Sequence, residues 1–318
     1  MCYLHFYASF YAPPLDSLNL IKLLFDAVSF PSGPHNRMRA FCFYLALLLS
    51  SSAPLLSQAV GTVTMVDSEL RIIRGATVFV GMQGARIHRG DMLETGARGL
   101  TQLEFGPGTV IALGPLSRLL LFSYSGSSAE TQAEFVLLSG WLKGELDPKS
   151  GSYQFDTPLL AGMIKQGSLV VHAGADLSEI FVESGSASIG QVTSGGSVSQ
   201  LRGVKAGDFF ARQSGKNLTT AARPAAAFVE SMPTPFRDTL PSHPLKGKAS
   251  ELSHGREIEY VQLRPWLLMA PRWRRELVPR FQSRLSDPRF REELAAHVQE
   301  YPEWDPVLHP EKYPGKNQ

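Results

Sequence analysis

Cysteine is nearly absent from this chain of 318 residues: Cys2 and Cys42 are the only two, and both precede residue 43. Downstream of Cys42 the sequence therefore cannot form a disulfide framework, a zinc knuckle or a cysteine nucleophile. Charged residues are also sparse, at 19%, and the formal net charge is +2 at pH 7. Global charge gives no support to nucleic-acid binding, so we expect no nucleic-acid partner.

Catalytic signatures are missing as well. The chain contains no G-x-S-x-G elbow, H-E-x-x-H motif, Walker loop or dinucleotide fingerprint. We therefore predict a protein that is not an enzyme, with no catalytic, cofactor-binding or metal-binding residue and no cofactor. One alternative stays open, because a glycosidase carboxylate pair is defined in three dimensions and could lie among scattered acids. These acids are Asp67, Glu69, Glu94, Glu104, Glu134, Glu145, Asp147 and Asp156.

The longest apolar run near the N-terminus, Ala40 to Leu49, is too short for a comfortable membrane span of about 20 residues. It follows Met38 and Arg39 and precedes a polar segment that ends in Ser57-Gln58-Ala59, the small-residue pattern of a signal-peptidase site. We predict a signal peptide over 38–59, cleavage after Ala59 and a periplasmic location. Residues 1–37 are then a start-site artefact upstream of Met38, or alternatively a leader.

Short strands fill the region from 60 to 213. Runs of about five residues rich in β-branched and aromatic types recur every 8–12 residues, separated by glycine, serine or proline. Examples are TVTMV, ELRII, TVFVG, TVIAL, RLLLF, EFVLL, SLVVH and EIFVE. No window in this region has the periodicity of an amphipathic helix of ten or more residues. The predicted fold is all-β, a sandwich, roll or short β-solenoid of about 12–16 strands, with a small C-terminal helical appendage.

Several motifs in this region occur in an order that resembles the FecR-domain family. They are GDMLETG (90–96), LEFGPGTVIAL (103–113), FDTPLLAGMIKQGSLVVH (155–172), IFVESGSASIG (180–190) and VKAGDFF (204–210). The resemblance implies a periplasmic β-domain in which the motif residues form structural turns. These residues are Gly90, Asp91, Thr95, Gly96, Gly108, Thr157, Pro158, Gly167, Gly185 and Gly207.

The sequence departs from the family's pattern in two ways. Pro107-Gly108 replaces an Asp/Asn-Gly turn and Gly167-Ser168 replaces Gly-Thr, but both retain the glycine. Residues 1–37 are also too short for the cytoplasmic anti-sigma segment of the iron-citrate regulator after which the family is named. The resemblance therefore implies the domain and its compartment, and does not imply sigma-factor regulation.

The stretch HRGDMLETG, residues 88–96, offers two other interpretations. Arg89-Gly90-Asp91 matches an adhesion tripeptide, and His88, Asp91 and Glu94 are spaced as metal ligands on a helix. The metal interpretation is disfavoured because alternation along a strand puts Met92 and Glu94 on one face and Leu93 on the other. The adhesion interpretation is disfavoured because a three-residue match arises easily by chance and adhesion needs an exposed loop tip. We predict instead that Gly90 and Asp91 form a turn, and that Asp91→Ala costs on the order of 1 kcal/mol.

The C-terminal third differs in composition. Residues 214–255 are rich in alanine, proline and serine and are typical of an extended linker. Residues 256–318 form a basic helical region with two predicted helices. The first covers 272–285 and is kinked at Pro279. The second begins with Asp287 as N-cap and Pro288 at its first position.

Between Arg256 and Arg291 there are nine arginines and four acidic residues, a net charge of +5. Guanidinium groups bind phosphate and carboxylate, so this face is a candidate contact for an anionic membrane surface. The candidate residues are Arg272, Arg274, Arg275, Arg280 and Arg284. The alternative is that the apolar stripes of both helices simply pack on the β-domain.

Three functional hypotheses follow. The first is an exported, non-enzymatic FecR-domain protein that acts as a binding or signalling-accessory module, with an envelope protein or peptidoglycan as partner. The second is a carbohydrate- or peptidoglycan-binding protein or a carbohydrate-active enzyme, for which we expect an aromatic cleft and a close carboxylate pair. The third is a component of a sigma-factor cell-surface signalling system.

Overall fold

The structure, a computed structural model, describes residues 59–106, 108–125, 131–149, 151–193, 195–244 and 250–313. The predictions for the leader and for the signal peptide up to Gln58 lie outside these residues. Within the described ranges, no helix is both long enough and apolar enough to cross a bilayer.

The chain is mostly β-structure with a small C-terminal helical region, as predicted. Sixteen strands are present among the described residues. They are β1 (Ala59–Asp67), β2 (Leu70–Arg74), β3 (Thr77–Val80), β4 (Arg86–His88), β5 (Met92–Thr95), β6 (Leu100–Glu104), β7 (Val110–Leu113), β8 (Arg118–Ser125), β9 (Gln132–Leu146), β10 (Ser152–Asp156), β11 (Leu160–Ala173), β12 (Leu177–Gln191), β13 (Arg202–Lys205), β14 (Phe209–Gln213), β15 (Thr219–Ala221) and β16 (Arg256–Glu257).

All sixteen strands belong to one hydrogen-bonded sheet that folds into two layers, because β9, β11 and β12 each run through both. Layer A has the order β16-β3-β2-β5-β8-β9-β10-β11-β12-β13. Layer B has the order β4-β1-β6-β7-β9-β11-β12-β14-β15. Neighbouring strands are antiparallel except β9 and β10, which are parallel. Of the architectures left open by the sequence, the structure is the sandwich.

The central core lies between the two layers, and a second apolar surface lies on the outside of each layer. In β5, Leu93 points into the central core while its neighbour Met92 belongs to the outer cluster of layer A. In β7, Ile111 points inward while Ala112 belongs to the outer cluster of layer B. Because successive side chains alternate, a strand buried on both faces is apolar at nearly every position. This explains continuous runs such as RLLLF.

Gly167 and Gly185, inside the long strands β11 and β12, mark a bulge rather than turns. The assignment of Gly167 and Gly185 as turn residues is wrong: they face each other across β11 and β12, at a point where the register shifts. Both have positive φ, and a Cβ on either would overlap the carbonyl of Gln166 or Ser184 on the opposite strand. Only glycine permits this close backbone approach. Glycines that are typical of a turn in the sequence therefore lie here inside continuous strands.

Two helical elements cover the outer faces. Residues 226–240, which we call the strap, contain α1 (Ala226–Ser231) and a 3-10 turn (Thr234–Phe236), and pack on the outside of layer B. Helices on the outside of layer A are α2 (Tyr260–Leu267), α3 (Pro271–Arg274), α4 (Leu277–Phe281), α5 (Pro288–Ala295) and α6 (Asp305–Leu308), with 3-10 turns at Gln282–Ser286, Val298–Glu300, Pro302–Trp304 and Pro310–Lys312.

The first predicted C-terminal helix is not continuous. It is divided into α3, α4 and a 3-10 turn, the break lies at Arg275 and Glu276, and Pro279 sits inside α4. The two halves bind different parts of layer A, since Arg272 reaches Glu134 on β9 while Arg280 reaches Ile73 on β2. The second helix begins as predicted, because the Asp287 carboxylate accepts hydrogen bonds from the backbone of Arg289 and Phe290.

Candidate functional site

A cleft of about 710 Å³ opens where β9 passes from layer A to layer B. Its walls come from β2, β5, β8, β9 and β11, the loop before β8, and the strap. The lining residues that matter below are Arg71, Glu94, Leu116, Arg118, Trp141 and His172. Strands from both layers therefore meet at this cleft, and the strap closes one side through Ser231 and Pro233.

The charged groups at one end of the cleft are paired with each other. Glu94, on β5, is largely buried and accepts hydrogen bonds from Arg118 Nε at 3.1 Å and from Trp266 Nε1 at 3.0 Å. Arg71 lies 3.3 Å from the other oxygen of Glu94 and also binds Glu69 at 2.9 Å. The Glu94 carboxylate is thus paired with two half-exposed guanidinium groups, and both arginines line the cleft.

An aromatic pair forms another wall. The Trp141 indole stacks on the His172 imidazole, with ring centroids 4.2 Å apart and an interplanar angle of 19°. His172 Nδ1 lies 2.8 Å from Glu179 Oε2, which leaves Nε2 as the other polar atom of the ring. Phe228 of the strap packs behind Trp141 at 5.1 Å. These contacts hold a flat, partly apolar surface in a fixed orientation.

The floor between these walls is a hydrogen-bonded turn. Thr95 Oγ1 donates to the Gly114 carbonyl at 2.6 Å and accepts from the Ser117 amide at 2.9 Å. Ser117 Oγ in turn accepts from the Trp141 amide at 2.9 Å. Leu116 stands at the rim with a φ of 52° and is 63% exposed. The threonine of the GDMLETG motif therefore shapes the cleft as well as closing a strand.

The other half of that motif is an anchored turn. Gly90 has a φ of 84°, and Asp91 Oδ2 accepts from the His88 amide at 2.8 Å. Asp91 is buried and also pairs with Arg74 through two hydrogen bonds of 2.9 and 2.6 Å. A carboxylate enclosed in this way is not presented for adhesion. Across the described ranges no group of three or more candidate ligands could hold a metal ion, and His88, Asp91 and Glu94 do not converge on one.

The remaining motif residues occupy loops next to strands. Gly108 lies between β6 and β7, Gly207 lies between β13 and β14, and both have positive φ. Thr157 Oγ1 accepts from the Leu160 amide at 2.9 Å, which fixes the turn that contains Pro158. Gly96 follows β5 and donates its amide to the Glu69 carbonyl.

A second cluster, which the sequence did not reveal, lies beneath α3. Glu134 on β9 and Asp156 on β10 both face Arg272, which is ion-paired with Glu134 and lies 3.7 Å from Asp156. Trp273 Nε1 also donates to Glu134, at 3.0 Å. Burial, followed by the nearby Glu134 charge, raises the pKa of Asp156 to about 7. The two acids are 22 residues apart, and only the parallel pairing of β9 with β10 brings them together.

This pair is not arranged as an accessible glycosidase site. Asp156 is completely buried, Glu134 is largely covered, and Arg272 with Trp273 lies over them. A separate pocket of about 330 Å³ borders Gln154 and Arg272, but neither carboxylate lines it.

Four of the five arginines proposed for an anionic surface have internal partners. Arg272 binds Glu134, Arg274 binds Glu303 at 2.8 Å, and Arg284 binds Glu257 and Asp287. Arg280 donates to the carbonyls of Ile73, Gly75 and Gly90. Burial lowers the pKa of Arg280 to about 10. Arg275 is exposed. The membrane-surface hypothesis stays a prediction.

No family model matches the chain, and no curated protein matches it. Two crystal structures of a candidate anti-sigma factor from Parabacteroides distasonis are similar to it, with TM-scores of 0.36 and 0.35 and 11% identity in each case. The alignments cover 44% of this chain and 64% and 65% of those chains, so less than two thirds of their length is spanned.

Proposed function

We propose that this chain is an exported, non-enzymatic protein of the cell envelope, in which a FecR-type β-domain binds a partner polypeptide and acts as a signalling accessory. The cleft at the β9 bend is the observation that supports the binding role. It combines two half-exposed guanidinium groups, a fixed Trp141–His172 stack and the exposed Leu116. Tryptophan and arginine beside apolar surface are the residue types that dominate protein–protein binding energy.

The electrostatics of the cleft also favour binding over acid–base chemistry. The Glu94 carboxylate accepts from Arg118 and Trp266 and lies against Arg71. The Glu94 carboxylate is 7% exposed and its oxygens are already paired with these groups, so it is not presented to a substrate as an acid or base. Its two arginines supply directional donors that recognise backbone carbonyls or acidic side chains of a partner.

The motif order supports the FecR resemblance, because four of the five motifs span a strand and the loop beside it, while IFVESGSASIG lies within β12. GDMLETG spans the turn before β5, LEFGPGTVIAL is the β6–β7 hairpin, and VKAGDFF is the β13–β14 connection. Export is supported by the position of the proposed cleavage site. Removal of Ala59 leaves β1 with its pairing to β6, which begins at Thr62.

Site-specific photo-cross-linking tests the binding role. A benzoyl-phenylalanine placed at Leu116 should form a discrete adduct in intact envelopes, and Arg118→Ala or Trp141→Ala should reduce its yield. Val261, which is 67% exposed on α2, is the matched control position. The same adducts at both positions, or none at Leu116, would contradict the proposal.

Export is tested by sequencing the mature N-terminus, which should be Val60.

Carbohydrate or peptidoglycan binding is a second candidate, favoured by the Trp141 ring that lines the cleft. The Trp141 indole is 8% exposed between His172 and Phe228, so a sugar ring would contact its exposed edge and the neighbouring His172. Purified peptidoglycan fragments titrated by calorimetry should then bind the wild type and lose affinity for Trp141→Ala. Binding of fragments without a polypeptide adduct at Leu116 would make this candidate the better one.

A further inference from the structure

The strap crosses the outside of layer B without joining the sheet. Its backbone–backbone hydrogen bonds are all local, from Val229 to Ala225, Met232 to Phe228, Phe236 to Pro233 and Arg237 to Thr234. In the part of the chain that the structure describes, no such bond links the strap to a strand. Helix α1 also has no side-chain cap at its N-terminus. The strap is therefore held only by side chains, the condition under which segments open independently of the fold.

Four apolar side chains hold it in place. Phe228, Met232, Phe236 and Leu240 recur every four residues and are buried against Ala112, Trp141, Val170 and Phe209 of layer B. Phe228 contacts both Trp141 and Phe209, with ring centroids 5.1 Å apart in each case. Most other strap side chains are exposed to solvent. The outer face of layer B is thus an apolar groove that is filled by a regularly spaced set of side chains.

The main polar contacts from layer B to the strap are made to its main chain. Lys143 is buried on β9 and donates to the carbonyls of Phe236 at 3.0 Å and Asp238 at 2.8 Å. Glu183 balances the Lys143 charge at 2.8 Å. Glu145 accepts from the Leu240 amide at 2.8 Å. Contacts to the main chain do not depend on the identity of the bound side chains, so another segment with the same spacing satisfies them equally.

The groove and the cleft are continuous. Trp141 belongs to both, because one side of its ring packs under the strap while the residue also lines the cleft. Ser231 and Pro233 of the strap form the wall between them. Movement of the strap would therefore join the two into one surface that runs from Arg118 to Phe209.

We propose that the strap occupies, in cis, the binding groove for an amphipathic polypeptide segment of a partner, and that this segment displaces the strap. The partner segment carries apolar side chains every four residues, which enter the sites of Phe228, Met232, Phe236 and Leu240. Lys143 and Glu145 then bind its main chain. This inference rests on the proposed binding role and specifies the partner's chemistry. Binding of this kind resembles other modes in which an amphipathic segment places apolar side chains in a groove and those side chains give specificity.

Hydrogen exchange on the unmodified chain tests whether the strap opens. Amides of residues 228–240 should exchange at least about 100-fold faster than those of β9 and β11, without global unfolding. Exchange of the strap only through global unfolding would overturn the proposal. This measurement does not depend on any variant folding correctly.

Binding in trans is tested with a fluorescent synthetic peptide of residues 224–242. A Phe228→Ala/Phe236→Ala variant of the full chain, with its own strap weakened, should bind the peptide at least tenfold more tightly than wild type. The exposed Val229→Ala is the matched control and should behave as wild type. A peptide with both phenylalanines replaced by alanine should not bind.

Equal affinity of the variant for the native and replaced peptides would reject the groove. An adduct at Leu116 combined with that result would leave the binding role intact and reject only the strap mechanism. If no adduct forms at Leu116 but the peptide binds tightly in trans, the groove exists and the proposed envelope partner is rejected.

Discussion

Asp91 and Asp156 are both buried carboxylates, and the protein stabilises each in a different way. Asp91 lies opposite the Arg74 guanidinium, with which it shares two hydrogen bonds. Asp156 lies beside Glu134, and the pKa of Asp156 is raised to about 7 by burial and by that neighbouring charge. One carboxylate is therefore held in an ion pair, and the other is buried beside a second acid with its pKa raised.

Asp156 should make the stability depend on pH. Because its folded pKa of about 7 exceeds the usual unfolded value of about 3.9, the folded state binds more protons between these values. Unfolding free energy should fall as pH rises from about 4 to about 7 and lose this contribution above it. Asp156→Asn should flatten that slope and add at least about 1 kcal/mol at pH 8, since one pKa unit corresponds to about 1.4 kcal/mol. Urea unfolding between pH 5 and 8 measures both effects, and parallel curves for the two proteins would refute them.

Asp91 should matter more than a turn cap alone. Its removal takes away the acceptor for the His88 amide and leaves Arg74 without its partner. We expect Asp91→Ala to cost about 2–3 kcal/mol, above the roughly 1 kcal/mol of a cap, because a buried ion pair is also broken. The exposed Asp67→Ala is a control that should change stability by less than about 0.5 kcal/mol. Chemical unfolding decides, and equal effects for the two variants would show that the ion pair is unimportant.

At the scale of elements, the long strands β9, β11 and β12 connect the two layers. The sequence predicts about 12–16 strands, and sixteen are found among the described residues. Their bounds differ from the predicted runs, because some runs are joined and other strands lack a clear pattern. The runs EIFVE (179–183) and SASIGQ (186–191) are both parts of β12, joined through Gly185. β15 and β16 have fully exposed side chains and three and two residues respectively, so hydrophobic alternation gives no signal for them. The local alternation of apolar residues therefore identifies strands. Whether two such runs form one continuous strand depends on the neighbouring strand that pairs with them across the bulge.

The glycine pair in β11 and β12 gives a test at this scale. Gly185→Ala should destabilise the protein by about 2–4 kcal/mol, because its φ of 75° is unfavourable for alanine and the new Cβ overlaps the Gln166 carbonyl. Gly203→Ala, on the edge strand β13 with no atom within 4 Å of the new Cβ, should be close to neutral. The difference is measured by thermal or urea unfolding. A tolerated Gly185→Ala would mean that the bulge relaxes.

For the whole molecule, the helices on layer A act as an additional packing layer. Trp266, Trp273 and Trp304 are completely buried in the cluster that joins them to the sheet. Arg280 connects α4 to three carbonyls of layer A, at Ile73, Gly75 and Gly90. The basic composition of this region thus serves in large part to attach the helices to the sandwich.

Arg280→Met should loosen this layer. The three carbonyls lose their donor, and we expect a loss of about 2–3 kcal/mol with faster hydrogen exchange across residues 260–308. Arg289→Met, with its side chain 86% exposed, is the matched control and should leave exchange unchanged. Uniform acceleration of exchange over both layers would show that the helices and the sandwich unfold together and would contradict independent loosening.

Three features follow from local sequence, because each depends on residues close together in the chain: the all-β class, the turn at Gly90 and Asp91, and the start of α5 at Asp287. Strand alternation and capping are local properties. Three others emerge only in the folded chain: the strands close into a two-layer sandwich, Glu134 meets Asp156, and Trp141 joins the cleft to the strap groove. These features depend on the pairing of distant strands and on the burial of both outer faces, and no local spacing in the sequence encodes either.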